Sequence, residues 1–194
     1  MENRKYNKDN ADKYLEYGID VENRIVNITH DICQESISIS ISGIHLMLAR
    51  DKNKDIDIYI NSFGGCPYTA MGFYNFIRTL NTCDVNTYNI GCVMSAASII
   101  FVAGDNRYMY EDTVFMLHSV SSMAEGKAHL DLSDESDECK RIHKQMCDIY
   151  AKHTDKSSKQ WNTMIRYRDK YIRKNEALDI GIVDKIIYDN EDIT

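Results

Sequence analysis

Two stretches, DIDIYINSFGG at residues 55–65 and VNTYNIGCVMSAASIIFVAG at residues 85–104, decide the fold of this 194-residue chain. In the first, isoleucines alternate with polar residues and two glycines follow, a pattern that predicts a strand entering a tight loop. In the second, VNTYNIG predicts a strand, and the apolar run that begins at Ser95 predicts a short helix closed by Gly104. Two strands that each enter a helix through a glycine loop indicate an α/β fold with a largely parallel sheet.

The run SISISIS at residues 36–42 is ambiguous, because its strict alternation is typical of a strand. However, Ile37, Ile41, Ile44 and Leu48 also follow helical spacing, and the run continues unbroken through HLMLAR. We interpret it as a helix. Further elements predicted from periodicity are a helix from Tyr68, strands at 108–110 and 114–117, helices near 134–153 and 157–167, and a helix end and strand at 180–187.

Composition favours one globular, cytoplasmic domain spanning 1–194. The 23 Lys and Arg residues against 30 Asp and Glu residues give a net charge of −7, which disfavours nucleic acid and anionic membranes as partners. The longest apolar run, Ile99–Ala103, is far too short to cross a bilayer, and the polar N-terminus has no signal-like apolar segment. The six cysteines form no CxxC pair, which suits reduced thiols better than disulfides or a zinc site.

Chemistry is expected where the two glycine loops meet, at the carboxyl ends of the strands. Ser95 stands where a strand turns into a helix, so it is either a helix N-cap, the commoner role, or a nucleophile. Gly64 and Gly65 form either an ordinary turn or a backbone N–H cradle for an oxyanion or a phosphate. His118 ends a predicted strand at the same edge. The P-loop, GxGxxG and GxSxG motifs are all absent.

Four motifs in this order resemble those of the ATP-dependent Clp protease proteolytic subunit family. DIDIYINSFGG resembles the family's YINSPGG strand and loop, and VNTYNIGCVMSAASIIFVAG resembles its STICxGQAASMGAxLLAAG nucleophile segment. His118 in VFMLH falls on the histidine of its MIH motif, and RDKYIRKNEALDIGIVDKI (168–186) resembles its RDxFLSAxEAxEYGLVDxI ending. The match is collinear from about Tyr17 to Ile187.

This resemblance implies a catalytic triad in which Ser95 is the nucleophile, His118 the general base and Asp169 the carboxylate that orients the imidazole. It further implies that the backbone N–H groups of Gly65 and Ala96 stabilise the tetrahedral oxyanion. Arg168 matches an arginine that contacts the opposite ring in the family. No metal or organic cofactor is implied, because ATP is used by the partner.

The resemblance also implies an architecture, a spiral of ββα units shared with the crotonases, with a protruding handle region at about 123–155. Residues 1–16 correspond to the family's axial loops. The expected assembly is a homo-oligomer of heptameric rings stacked as a tetradecamer. It would receive unfolded polypeptide from an AAA+ unfoldase of the ClpX, ClpA or ClpC type and cut it into short peptides, with no role for nucleic acid or membrane.

Several positions around the motifs depart from the family pattern. Phe63 replaces a proline, Ala96 replaces a methionine and Ser98 takes a small-residue position, while Cys66-Pro67 and Ser119-Val120 are also unusual. Two alternative functions therefore stay open, a catalytically silent ring subunit and a crotonase-type acyl-CoA enzyme. Retention of the serine, histidine and aspartate speaks against both, since crotonase chemistry needs no activated serine.

Overall fold

The computed structural model describes Tyr14 and residues 16–120 and 129–189, with side chains described from Asp134 onward in the last range. The expected axial segment 1–16 lies outside the described residues except for Tyr14 and Glu16. Among the described helices, none is long and apolar enough to span a bilayer.

Eight strands and six helices make up the described fold. The strands are β1 (Ile19–Asp20), β2 (Ile25–Ile28), β3 (Ile56–Ser62), β4 (Val85–Met94), β5 (Asn106–Tyr110), β6 (Val114–Leu117), β7 (Lys170–Ile172) and β8 (Lys185–Ile187). The helices are α1 (Gln34–Arg50), α2 (Pro67–Thr79), α3 (Ala96–Phe101), α4 (His129–His153), α5 (Ser158–Ile165) and α6 (Lys174–Asp179). The mixed α/β architecture with a largely parallel sheet confirms the predicted fold class.

A single long strand, β4, organises the sheet. The main path runs β1-β2-β3-β4-β5-β8, and only its first pair, β1 with β2, is antiparallel. The first half of β4 pairs with β5, from Asn86 to Asn89, whereas its last three residues, from Cys92 to Met94, pair with β6. The strand changes partner where its register against β3 also shifts. This offset carries β6 and its antiparallel neighbour β7 to the carboxyl end of β4.

The SISISIS run is helical, as the spacing of its isoleucines predicted. It lies within α1, which buries Ile37, Gly43, Ile44 and Met47 against the sheet and leaves most of the intervening positions partly or fully exposed. Glycine is required at position 43, because a Cβ there would lie 2.5 Å from Ile19 Cγ2. The 3.6-residue period therefore overrides the two-residue alternation, since only the helical face matches the apolar surface available for burial.

Helices α4 and α5 form an antiparallel hairpin that closes one side of the core. Tyr150 and Trp161 are both fully buried, and their ring centroids lie 5.2 Å apart. The indole N–H of Trp161 donates to Thr154 Oγ1 at 2.8 Å, so its one polar atom is satisfied. This packing anchors the carboxyl half of α4 beside α3 and so positions it next to the edge where β4 and β6 end.

Gly104 has a different role from the predicted helix closure. Helix α3 ends at Phe101 with Val102 as its C-cap, and Gly104 does not have the positive φ of a left-handed cap. Instead, a Cβ on Gly104 would lie 2.5 Å from Thr87 Oγ1. The glycine is therefore required by the close approach of the chain to β4, which no local periodicity reveals.

We predict that His153 makes the stability of the fold depend on pH. Its burial, together with the nearby Arg78 and Arg107, lowers its pKa from 6.5 to about 4. The unfolded chain binds this proton near pH 6.5, so the stabilisation is fully present above that pH and is lost as the pH falls from about 6.5 towards 4. We expect the urea-unfolding midpoint of His153→Gln to vary less with pH over this window than that of the exposed control His30→Gln. An unchanged pH profile in His153→Gln would contradict this prediction.

Candidate active site

The carboxyl ends of β3, β4 and β6 bring the chemically interesting residues to one edge of the sheet. Gly64 and Gly65 follow β3, Ser95 lies between β4 and α3, and His118 directly follows β6. Because β6 runs parallel to β4 and pairs with its last residues, the ends of these two strands are neighbours. This placement at one edge is what the strand-and-loop pattern of the sequence predicts.

Ser95 has a strained backbone. Its φ of 50° and ψ of −126° lie in a region that non-glycine residues rarely occupy, at a cost of roughly 1–3 kcal/mol. Three hydrogen bonds hold it there: its N–H donates to the Met116 carbonyl at 2.7 Å, and its own carbonyl accepts from Ser98 N at 3.1 Å and from Ser98 Oγ at 2.5 Å. The side chain of Ser95 makes no capping bond to α3, so its hydroxyl is free to serve another partner.

That partner is His118. Its Nε2 lies 2.7 Å from Ser95 Oγ, within hydrogen-bond distance. In the neutral tautomer that carries its hydrogen on Nδ1, Nε2 accepts the hydrogen bond and is positioned to take the hydroxyl proton. Two residues that are 23 positions apart in sequence thus meet with the geometry of a nucleophile and its base.

Asp169 lies beside this pair without being bonded to it. The antiparallel ladder of β6 and β7 ends with Leu117 paired to Lys170, and His118 and Asp169 are the residues just beyond this last pair. Asp169 and Arg168 are both exposed, and among the described residues no hydrogen bond joins Asp169 to His118. The structure therefore brings two of the three predicted triad residues into contact and the third to the same end of the sheet.

The Gly64-Gly65 loop packs directly against the turn at Ser95. A Cβ on Gly64 would lie 2.7 Å from Ser95 Cβ and 3.0 Å from the Ala96 nitrogen, so no larger residue fits. The loop is held by a parallel bridge to Ile32, which accepts from Cys66 N at 2.7 Å and donates to the Gly64 carbonyl at 2.8 Å. Because these bonds use the atoms on either side of Gly65, the Gly65 N–H points away from Ile32.

The N–H of Ala96 is the second donor available at this edge. Ala96 is the first residue of α3, and the first N–H groups of a helix have no partner within the helix. A small pocket of about 100 Å³ lies between these elements, and it is lined by Gly65, Pro67, Ser95, Ala96, His118, Val120 and Met146. The serine, the histidine and the two residues with available backbone donors thus line one cavity, an arrangement suited to acyl transfer.

The sequence did not reveal the supporting roles of three residues, Ser62, Ser98 and Tyr150. Ser98 bridges the Ser95 carbonyl and the buried Tyr150 hydroxyl, the latter at 2.7 Å. Ser62 Oγ donates to the His30 carbonyl at 2.6 Å and accepts from Gly64 N at 3.2 Å, which fixes the glycine loop. The small-residue position at Ser98 gave a weak signal, but Tyr150 is 52 residues away and only the packing of α4 on α3 brings it close.

Two of the other histidines whose side chains are described have partners elsewhere. His153 is hydrogen-bonded to the Tyr74 hydroxyl at 2.8 Å, and His143 Nε2 to Asn162 Oδ1 at 2.9 Å. Within the described ranges, no group of three or more His, Cys, Asp or Glu side chains is arranged to hold a metal ion.

Comparisons with known proteins agree on one family. The Clp protease family model matches residues 8–190. The chain is 31% identical over 169 residues to the ATP-dependent Clp protease proteolytic subunit of Pleurastrum terricola, covering 85% of this chain and 84% of that protein. Among solved structures, it is similar to a mutant of ClpP1 from Listeria monocytogenes, with a TM-score of 0.78 and 27% identity, covering 88% of this chain and 94% of that one.

We predict that Ser98→Ala destabilises the protein and lowers its activity. The substitution leaves the Tyr150 hydroxyl buried without its partner, which costs about 1–3 kcal/mol, and it releases the carbonyl that holds the Ser95 turn. In Ser98→Ala/Tyr150→Phe the orphaned hydroxyl is gone, so stability should partly recover while activity stays low. Urea unfolding and peptide hydrolysis measured on both variants test this. Wild-type stability in Ser98→Ala would show that the bridge contributes nothing.

Proposed function

The chain belongs to the Clp protease family and is a serine-type peptidase, and we propose that Ser95, His118 and Asp169 carry out its peptide-bond hydrolysis. The single observation that carries this assignment is the 2.7 Å separation of Ser95 Oγ and His118 Nε2. A free serine hydroxyl is a weak nucleophile, and an imidazole in hydrogen-bond contact is the usual means of activating it.

In the proposed mechanism, Ser95 Oγ attacks the carbonyl carbon of the scissile peptide bond while its proton passes to His118 Nε2. The tetrahedral intermediate collapses, the carbon–nitrogen bond breaks, and His118 returns the proton to the leaving amine. A water molecule then attacks the ester on Ser95 while His118 takes its proton. The bond between the acyl carbon and Ser95 Oγ breaks, His118 returns the proton to Oγ, and the acid product leaves. Each step uses only side chains of this chain and water, so we propose that no cofactor is needed.

The negative charge of the intermediate falls on the former carbonyl oxygen. We assign its stabilisation to the N–H groups of Gly65 and Ala96, because the bridge to Ile32 orients the first and the start of α3 leaves the second unpaired. The strained Ser95 backbone supports this assignment, since it presents the hydroxyl and the Ala96 N–H to the same cavity. Loss of one such donor typically costs about 10²–10³ in rate.

Asp169 is proposed to hold the imidazolium that forms during the reaction. Its position next to Lys170, which pairs with the residue before His118, supports this role. A carboxylate in that position fixes the tautomer with hydrogen on Nδ1 and stabilises the positive charge.

Membership of the family implies a ring oligomer that works with a Clp ATPase. We propose stacked heptameric rings, with α4 in the handle region and Arg168 at the contact between rings, and an AAA+ unfoldase that supplies unfolded polypeptide. The exposure of Arg168 is compatible with such a contact. We also propose that the protein acts in the cytoplasm, because all six cysteines are free thiols, as expected in a reducing compartment.

We predict that Ser95→Ala loses hydrolysis of a short fluorogenic peptide by a factor on the order of 10⁴ or more, because no other group can form the acyl intermediate. The matched control is Ser42→Ala, an exposed serine on α1 remote from the cavity, which should keep wild-type activity. Gel filtration of all three proteins should give one common ring-sized peak. Hydrolysis by Ser95→Ala at the wild-type rate would overturn the assignment, and a common monomer peak would contradict the ring.

A further inference from the structure

A large groove adjoins the catalytic cavity. It has a volume of about 760 Å³ and lies between α4 and α5. It begins at Ser119 and Val120, which directly follow His118, and Val120 lines both the groove and the small catalytic pocket. The groove therefore opens next to the catalytic pocket, where it can receive a side chain of a peptide whose scissile bond lies at Ser95.

The walls of this groove are cationic. Four basic side chains line it: Lys140 and Lys144 of α4, Lys159 of α5, and Arg166 just after α5. None of its described lining residues is acidic. The whole chain carries a net charge of −7, so four cations without a carboxylate among the described lining residues depart strongly from the rest of the molecule. Concave cationic walls focus the field and raise the local concentration of anions.

Two of the four cations are partly neutralised by neighbours on their own helix. Lys140 is paired with Asp137 at 2.8 Å, and Lys144 with Asp148 at 2.7 Å, with both lysine side chains about three-quarters exposed. Lys159 and Arg166 are also exposed, and in the described part of the chain neither has an ion-pair partner. The uncompensated charge of the groove therefore comes from these two side chains.

The guanidinium of Arg166 is available to bind a planar anion. Its guanidinium carbon lies 4.7 Å from the centre of the Tyr167 ring, a cation–π contact that leaves the hydrogen-bonding edges of the guanidinium open. The guanidinium fork matches a carboxylate in two parallel hydrogen bonds, whereas Lys159 adds a point charge. His143 also lines the groove. Its Nδ1 is buried and has no hydrogen-bond partner among the described residues, so this atom is available to a bound ligand.

We propose that this groove, through Lys159 and Arg166, selects substrates that carry an aspartate or glutamate side chain close to the scissile bond. The inference rests on the proposed function, since it assigns the specificity of the same catalytic cavity. The groove binds the substrate carboxylate while the adjacent peptide bond lies against Ser95. Lys159 and Arg166 are specificity determinants and take no part in the bond-breaking steps.

The test compares internally quenched peptides that differ only in Glu or Gln at each position within three residues of the scissile bond. For the wild-type protein we expect kcat/KM to favour Glu at least 5-fold at one or two positions, with the preference shrinking as NaCl rises from about 50 mM to about 500 mM because of screening. Lys159→Gln and Arg166→Gln should each reduce the preference, and Arg166→Glu should reverse it towards Gln. The matched control is Lys52→Gln, an exposed lysine before β3 at the opposite edge of the sheet, which should keep the wild-type ratio.

Binding of the same peptides to Ser95→Ala, measured by fluorescence anisotropy, separates the two proposals. Tighter binding of the Glu peptide supports the groove even if the wild-type protein hydrolyses neither peptide, a result that would count against the proposed function alone. Equal binding and equal kcat/KM for Glu and Gln at every position would overturn the groove proposal. A Glu preference that survives in Lys159→Gln/Arg166→Gln would overturn its assignment to these side chains.

Discussion

The backbone of Ser95 is the constraint on which the site depends. Its positive-φ turn is held from both sides, by the Met116 carbonyl on β6 and by the hydroxyl of Ser98 on α3. The turn also requires a neighbour without a side chain, which is why Gly64 lies against it. A conformation that costs roughly 1–3 kcal/mol persists only where surrounding contacts stabilise it. Here the strained backbone directs the Ser95 hydroxyl towards the His118 imidazole.

Strand β4 positions the other residues of the site relative to Ser95. By changing partner from β5 to β6 it creates an offset at its carboxyl end, and the histidine that follows β6 then lies beside the serine that follows β4. The same β6 pairs with β7, so the ladder brings the segment that carries Asp169 to the same end of the sheet. The nucleophile and base are in contact within a single subunit, whereas the carboxylate is not bonded to them.

Much of the fold was predictable, because its central strands and long helices have clear periodicity. The helix over SISISIS follows from the spacing of its isoleucines, and β3 follows from alternation before the glycine loop. Strand β4 was predicted over 85–91, but it continues past Gly91 to Met94 because its last residues pair with β6. Short elements such as β7, with three residues, carry too little periodicity to be predicted. The cationic groove escaped prediction because Lys140 and Arg166 lie on different helices, and each charge alone resembles an ordinary solvated position.

The most direct test of the central claim is the site and rate of labelling by a fluorophosphonate, located by mass spectrometry of the digested protein. An activated hydroxyl at Ser95 predicts a single adduct on that residue, and His118→Ala should slow its formation by about 10²–10⁴, the usual contribution of a general base. An adduct elsewhere, or labelling of Ser95 in His118→Ala at the wild-type rate, would contradict the claim that the 2.7 Å contact activates this serine.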